Sequence, residues 1–134
     1  MGPVVLDTSV ILGLLDPEDS HHPAALQLLE ELRRDAAQVH IPASAFAETL
    51  VGAARIGQAE MDRVERFVDL LVDSIVPLDR VIAREAAAIR ARHSSIRLPD
   101  ALVIATARAI GARSIHTADK RWRRIDDRVE VLRG

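Results

Sequence analysis

Five short apolar segments, Val4–Leu6, residues 38–41, Ser74–Val76, residues 113–116 and residues 129–132, are separated by longer stretches with helical periodicity. That alternation constrains the fold more than any other feature of the chain. Parallel strands need crossover connections, and helices used as crossovers cover both faces of the sheet they join. The predicted class is therefore α/β. Thr8 or Ser9 is placed to cap a helix that runs through Leu15, residues 16–23 read as a polar loop, and Leu26 and Leu29 mark an amphipathic helix. Pro42 and Ser44 open a further helix ending near Gly57, and Met61, Val64, Val68 and Leu71 repeat at helical spacing. Residues 81–92 return to helix, and Pro99 begins the helix over 100–110 that Gly111 closes.

A chain of 134 residues fits one domain, because a domain near this size buries roughly two thirds of its unfolded-chain surface. No repeat or linker divides it, so residues 1–134 are expected to form a single unit. The absence of cysteine excludes disulfides and thiolate metal sites. The start of the chain lacks the basic and apolar regions of a signal peptide, and the longest low-charge stretch carries His40, Pro42 and Glu48, which a membrane helix would reject. A soluble protein of the cytoplasm is the expectation. A net charge of −2 advertises no general affinity for polyanions, so any nucleic-acid contact must be local. With only Phe46, Phe67 and Trp122 as Phe, Tyr or Trp rings, the sequence argues against an aromatic platform for stacking bases.

Four acids occupy comparable places. Asp7 follows the first strand inside the apolar run VVLDTSVILGLL, and Asp119 follows the fourth strand. Glu48 interrupts AFAETLVGAA and Asp100 precedes ALVIATA, both near helix starts. In an open parallel sheet, ligands bind outside the carboxyl ends of the strands where strand order reverses, so distant elements would deliver these acids to one edge. Each acid also has a local explanation. Asp7 suits a turn or cap, and Asp100 suits the positive end of its helix dipole, worth roughly 0.3–1 kcal/mol. Asp119 in TADKR suits a surface turn.

If the acids converge, charge decides what joins them. Two unit charges 4 Å apart repel by roughly 4 kcal/mol at an effective dielectric near 20, so protons or cations must neutralise the set. An all-oxygen donor set suits a hard divalent cation such as Mg²⁺ or Mn²⁺, which activates water and supports displacement at phosphorus.

The segments VVLDTSVI, PASAFAETL, LPDALVIATA and SIHTADKRW, taken in order over essentially the whole chain, resemble the PIN-domain ribonucleases. The compact length resembles the VapC toxins of bacterial toxin–antitoxin pairs. The resemblance implies a three-layer α/β/α fold with a central parallel five-stranded sheet. It implies that Asp7, Glu48, Asp100 and Asp119 form an acidic quartet for Mg²⁺ or Mn²⁺, with Thr8, Ser9 and Thr117 as supporting hydroxyls. Trp122 stands where that family more commonly has Phe. The activity implied is metal-dependent endoribonuclease cleavage leaving 5′-phosphate and 3′-hydroxyl ends. The partners implied are an RNA substrate, a cognate VapB-type antitoxin and a second copy in a homodimer.

Several residues bear on competing readings. Lys120, Arg121, Arg123 and Arg124, with Arg90, Arg92, His93 and Arg97, form either solvated charged turns or a local patch for RNA phosphates. Adjacent His21 and His22 lack further ligands at zinc-site spacing, and His116 stands at a strand end without a partner that would make it a base. Trp122 and the stripe from Met61 to Leu71 read as packing residues. A phosphoacceptor receiver needs an acidic pair after the first strand and a lysine after the last, whereas Asp7 stands alone and Lys120 precedes the last strand. A dehalogenase-type phosphatase needs a second aspartate where Ser9 stands. An RNA-processing nuclease outside a toxin pair, or a non-catalytic interaction module, remains as an alternative.

Overall fold

The computed structural model describes residues 2–133. The strands are β1 (Val4–Leu6), β2 (Val39–Pro42), β3 (Ser74–Val76), β4 (Ser114–Thr117) and β5 (Val129–Val131). They form one parallel sheet in the order β3-β2-β1-β4-β5. The helices are α1 (Thr8–Leu15), α2 (His22–Arg34), α3 (Ala43–Ile56), α4 (Gln58–Leu71), α5 (Arg80–Arg92) and α6 (Leu98–Ala109). A short 3-10 turn, Lys120–Arg124, precedes β5.

Strand alternation divides the core between the two faces. Val4 and Leu6 of β1 pack with Ile11 of α1, Leu28 of α2 and Val68 of α4. Val5, between them, packs on the opposite face with Ile82 and Ala86 of α5 and Ile104 of α6. The expected three-layer α/β/α arrangement follows. Helix α6 is buried on several sides, at Ala101, Val103, Ile104, Ala105 and Ala107, because it lies against both the sheet and α5. Its alanines let those neighbours approach closely, and truncating Ile104 to alanine would cost about 2–5 kcal/mol.

From β1 the chain lays down β2 and then β3 on one side, and it returns through α5 and α6 to place β4 on the other. The order therefore reverses between β1 and β4. A crevice outside the carboxyl ends of these two strands is where this topology seats a ligand.

Two local readings need correction. The cap of α1 is Asp7 rather than Thr8 or Ser9: its carboxylate accepts the Thr8 N–H at 2.8 Å. Helix α2 begins inside the expected loop, at His22, with Pro23 in its first turn, where its missing N–H costs no helical bond. Helix α3 opens where expected, with Pro42 at its N-cap position and Ala43 its first residue, and the Ser44 hydroxyl in its first turn is buried without a hydrogen-bond partner.

Candidate functional site

Asp7 sits at the carboxyl end of β1, 9% exposed. Its backbone N–H still follows the sheet, donating to the His116 carbonyl at 2.9 Å, so the side chain is aimed from the strand end into the β1/β4 reversal. One carboxylate oxygen takes the Thr8 N–H. The other accepts the Ser9 hydroxyl at 2.8 Å and the Thr117 hydroxyl at 2.9 Å. The hydroxyls are themselves held: Ser9 Oγ accepts the Ala118 N–H at 3.0 Å and Thr117 Oγ1 accepts the Asp119 N–H at 3.1 Å. Burial holds the Asp7 carboxyl above its ordinary pKa. The three hydrogen bonds pull it down, and the charge of Asp100 pushes it up again.

Glu48 reaches the same place from α3. The Thr8 hydroxyl lies 3.3 Å from the Ala45 carbonyl and 3.4 Å from Glu48 Oε1, tying the start of α1 to the first turns of α3. The Glu48 carboxyl is also raised, first by burial, then by the charges of Asp7 and Asp100; Thr8 and Arg97 act in the opposite direction. Asp100, in the first turn of α6, reaches back to the Arg97 N–H at 3.4 Å. Three acids from three elements thus feel one another's charge.

Asp119 stands apart. It caps the 3-10 turn, accepting the Arg121 N–H at 2.9 Å. Arg121 also clasps it with Nε at 3.0 and 3.2 Å and Nη2 at 2.6 Å, and this pairing depresses its pKa. The Trp122 ring is completely buried. Its indole N–H has no acceptor at hydrogen-bonding geometry, although it adds a small downward pull on the Asp119 carboxyl. Among the described residues, no three carboxylate or imidazole groups stand close enough to ligate one ion. The expected quartet is therefore an electrostatically coupled triad, with the fourth acid engaged by an arginine.

Arg92, Arg97, Lys120 and Arg124 are exposed, and Arg97 is near enough to act on Glu48. The histidines go elsewhere. His22 Nδ1 donates to the Gly13 carbonyl at 2.7 Å, and His21 lies beside Asp19, so the pair shares no ligand. His116 is buried on a face of the sheet, with Nε2 3.0 Å from the Ser114 hydroxyl, rather than in the crevice. A cavity of about 520 Å³ beside it, lined by Gln27, Glu31, Arg123 and Glu130 among others, contains none of the four acids. The backbone N–H of Ala118, which fixes Ser9, carries no sequence signal and was not expected.

The donor chemistry suits a hard divalent cation. Asp7, Glu48 and Asp100 offer only carboxylate oxygens; burial is the main cause of the raised Asp7 and Glu48 carboxyls, and the mutual repulsion that adds to it is charge that a cation would offset.

The PIN domain family model matches residues 4–128. No curated protein matches the sequence. Among solved structures, a toxin–antitoxin complex from Klebsiella pneumoniae shares 23% identity, with a TM-score of 0.75 and coverage of 96% of both chains. FitAcB from Neisseria gonorrhoeae shares 26% identity at a TM-score of 0.75, covering 97% of this chain and 96% of that one. VapC20 of Mycobacterium tuberculosis, a sarcin-ricin loop cleaving toxin, shares 18% identity at a TM-score of 0.66, covering 84% of this chain and 86% of its own. With a match that runs from β1 past β4 and takes in all four acids, the chain belongs to the PIN domain family.

Proposed function

We propose that this chain is a Mg²⁺- or Mn²⁺-dependent endoribonuclease and the toxin of a type II toxin–antitoxin pair, held in check by a VapB-type antitoxin. The observation that carries the reading is the placement of Asp7. It is a buried carboxylate at the β1/β4 reversal, oriented by Ser9 and Thr117 and coupled to Glu48 and Asp100. The toxin role draws on the toxin–antitoxin complex and the VapC20 toxin whose fold this chain shares.

Asp7, Glu48 and Asp100 would hold the cation, with Asp119 joining when its pairing with Arg121 opens. When bound, such a cation supplies an activated water and stabilises charge on the leaving oxygen. The chain's own contributions are orientation and charge. Ser9 and Thr117 fix the direction of Asp7 and favour its ionised form against the effect of burial, and Thr8 sets Glu48 against the start of α1. Arg92, Arg97, Lys120, Arg121 and Arg124 would hold RNA phosphates that the acids alone would repel.

The deciding experiment is cleavage of total cellular RNA by purified protein in Mn²⁺, Mg²⁺ or EDTA, beside Asp7→Asn. Cutting that requires both metal and Asp7 is the expected result. Cutting by Asp7→Asn equal to wild type would sink the assignment. One observation favours a non-catalytic module instead: among the described residues the acids are not at ligating spacing. Failure to cut any RNA while still pairing with an antitoxin would select that alternative.

A further inference from the structure

The least expected contact in the site is the one that occupies its fourth acid. Arg121 makes a two-pronged pair with Asp119, and its remaining terminal nitrogen, Nη1, donates to the Ser95 carbonyl at 2.9 Å. Ser95 lies in the connection between α5 and α6, just ahead of Asp100. The guanidinium therefore fastens the loop after β4 to the approach of α6. We propose that Arg121 is a positioning residue that clamps Asp119 out of the acid set, so that the clamp and a divalent cation compete for the Asp119 carboxylate. This rests on the nuclease reading above.

Geometry and charge both support the competition. Hydrogen bonds from Arg121 fall on both Asp119 oxygens, so a ligand to Asp119 must displace part of the clamp. The electrostatics agree. Asp100 acts on Arg121 as well as on Asp7 and Glu48, placing the guanidinium at the border of the acid set. The clamp is also built to open. The Arg121 side chain is 58% exposed, and ion pairs so exposed to water are weak. RNA phosphates prefer the same planar fork of donors that a carboxylate does, so substrate would draw Arg121 off Asp119 and complete the set only when RNA is present.

The test is Mn²⁺ binding to the full chain, followed by electron paramagnetic resonance without RNA. Wild type, Arg121→Gln, Arg121→Lys, Asp119→Asn and the double variant Arg121→Gln/Asp119→Asn are compared. Arg121→Gln is expected to bind Mn²⁺ several-fold more tightly. Arg121→Lys, which keeps the charge and loses the fork, is expected to fall between. In the Asp119→Asn background the Arg121→Gln gain should shrink below about twofold, because no clamped carboxylate remains to be released. Unchanged or weaker binding by Arg121→Gln overturns the proposal. So does an equal gain in both backgrounds, which would reduce Arg121 to a general positive charge. Asp7→Asn separates the two readings: Mn²⁺ binding as tight as in wild type would move the metal away from this site, whatever Arg121 does. Absence of Mn²⁺ binding in every variant overturns both.

Discussion

Thr117 Oγ1 donates to Asp7 Oδ2 at 2.9 Å, joining residues 110 positions apart across the β1/β4 boundary. The same oxygen accepts the Asp119 N–H. One hydroxyl therefore fixes the direction of the first acid and the backbone of the last. Thr117 is completely buried, so no water substitutes easily if it is lost.

Thr117→Val keeps the shape and removes the hydroxyl. An N–H left without its acceptor costs about 1–3 kcal/mol, and a drop of that size in urea denaturation is expected. The Asp7 carboxyl would also rise further, because a hydrogen bond to its ionised form is gone. If Asp7 must be ionised to act, the acid limb of the pH–activity profile moves to higher pH. An unmoved profile with reduced stability would leave Thr117 a purely structural residue.

Asp7→Asn separates activity from stability. The Asp7 pKa is raised in the folded protein, so at neutral pH its ionisation opposes folding. That opposition fades as pH falls through the folded value towards the ordinary aspartate range. Asparagine caps helices as well as aspartate and carries no charge to bury. The variant is therefore expected to melt higher than wild type at neutral pH, with the difference shrinking as the solution is acidified, while RNA cleavage is lost. A lower melting temperature at neutral pH would contradict the burial account.

Much of this arrangement is legible in the sequence because it depends on local period. The runs VVL and SIV, and strands near 40, 115 and 130, announce themselves by apolar residues bounded by turns. An acid inside VVLDTSVILGLL stands out for the same reason. What escapes is whatever depends on a turn's three-dimensional course. The 3-10 turn over Lys120–Arg124 folds Arg121 back onto Asp119, and KRWRR reads as a charged surface run until that turn is known. Asp7, Thr8 and Ser9 all make good caps, and local period alone does not say which of the three caps α1. The start of α2 was masked by Pro23, which reads as a breaker but is tolerated in a first turn.

Arg124 offers a test of RNA contact that leaves the acids alone. It is exposed and forms no ion pair among the described residues, unlike Arg121. If it holds an RNA phosphate, Arg124→Gln should weaken binding of single-stranded RNA and reduce the slope of log affinity against log salt by about 0.7, the value for one released counterion. Mn²⁺ binding should not change. An identical salt slope in the variant removes Arg124 from the binding surface.

His116 carries the clearest pH signature outside the acid set. Burial is the main cause of its depressed pKa, from 6.5 to about 4, with Arg113 adding to the depression and Glu31 opposing it. Its Nε2 lies 3.5 Å from a Glu130 oxygen, but a ring that stays neutral at physiological pH makes no ion pair there, and Glu130 is largely exposed. A histidine with a folded pKa below its unfolded one binds fewer protons when folded. Its contribution to stability is therefore complete above about pH 6.5 and is lost as pH falls through the folded value near 4. The size of the shift corresponds to roughly 3 kcal/mol over that window. Urea denaturation at intervals from pH 7 to pH 4 should show this decline in wild type, and a flatter profile in His116→Gln, whose amide can still meet the Ser114 hydroxyl. A decline of equal steepness in the variant would assign the acid sensitivity to other groups and show that burial of His116 is not its source.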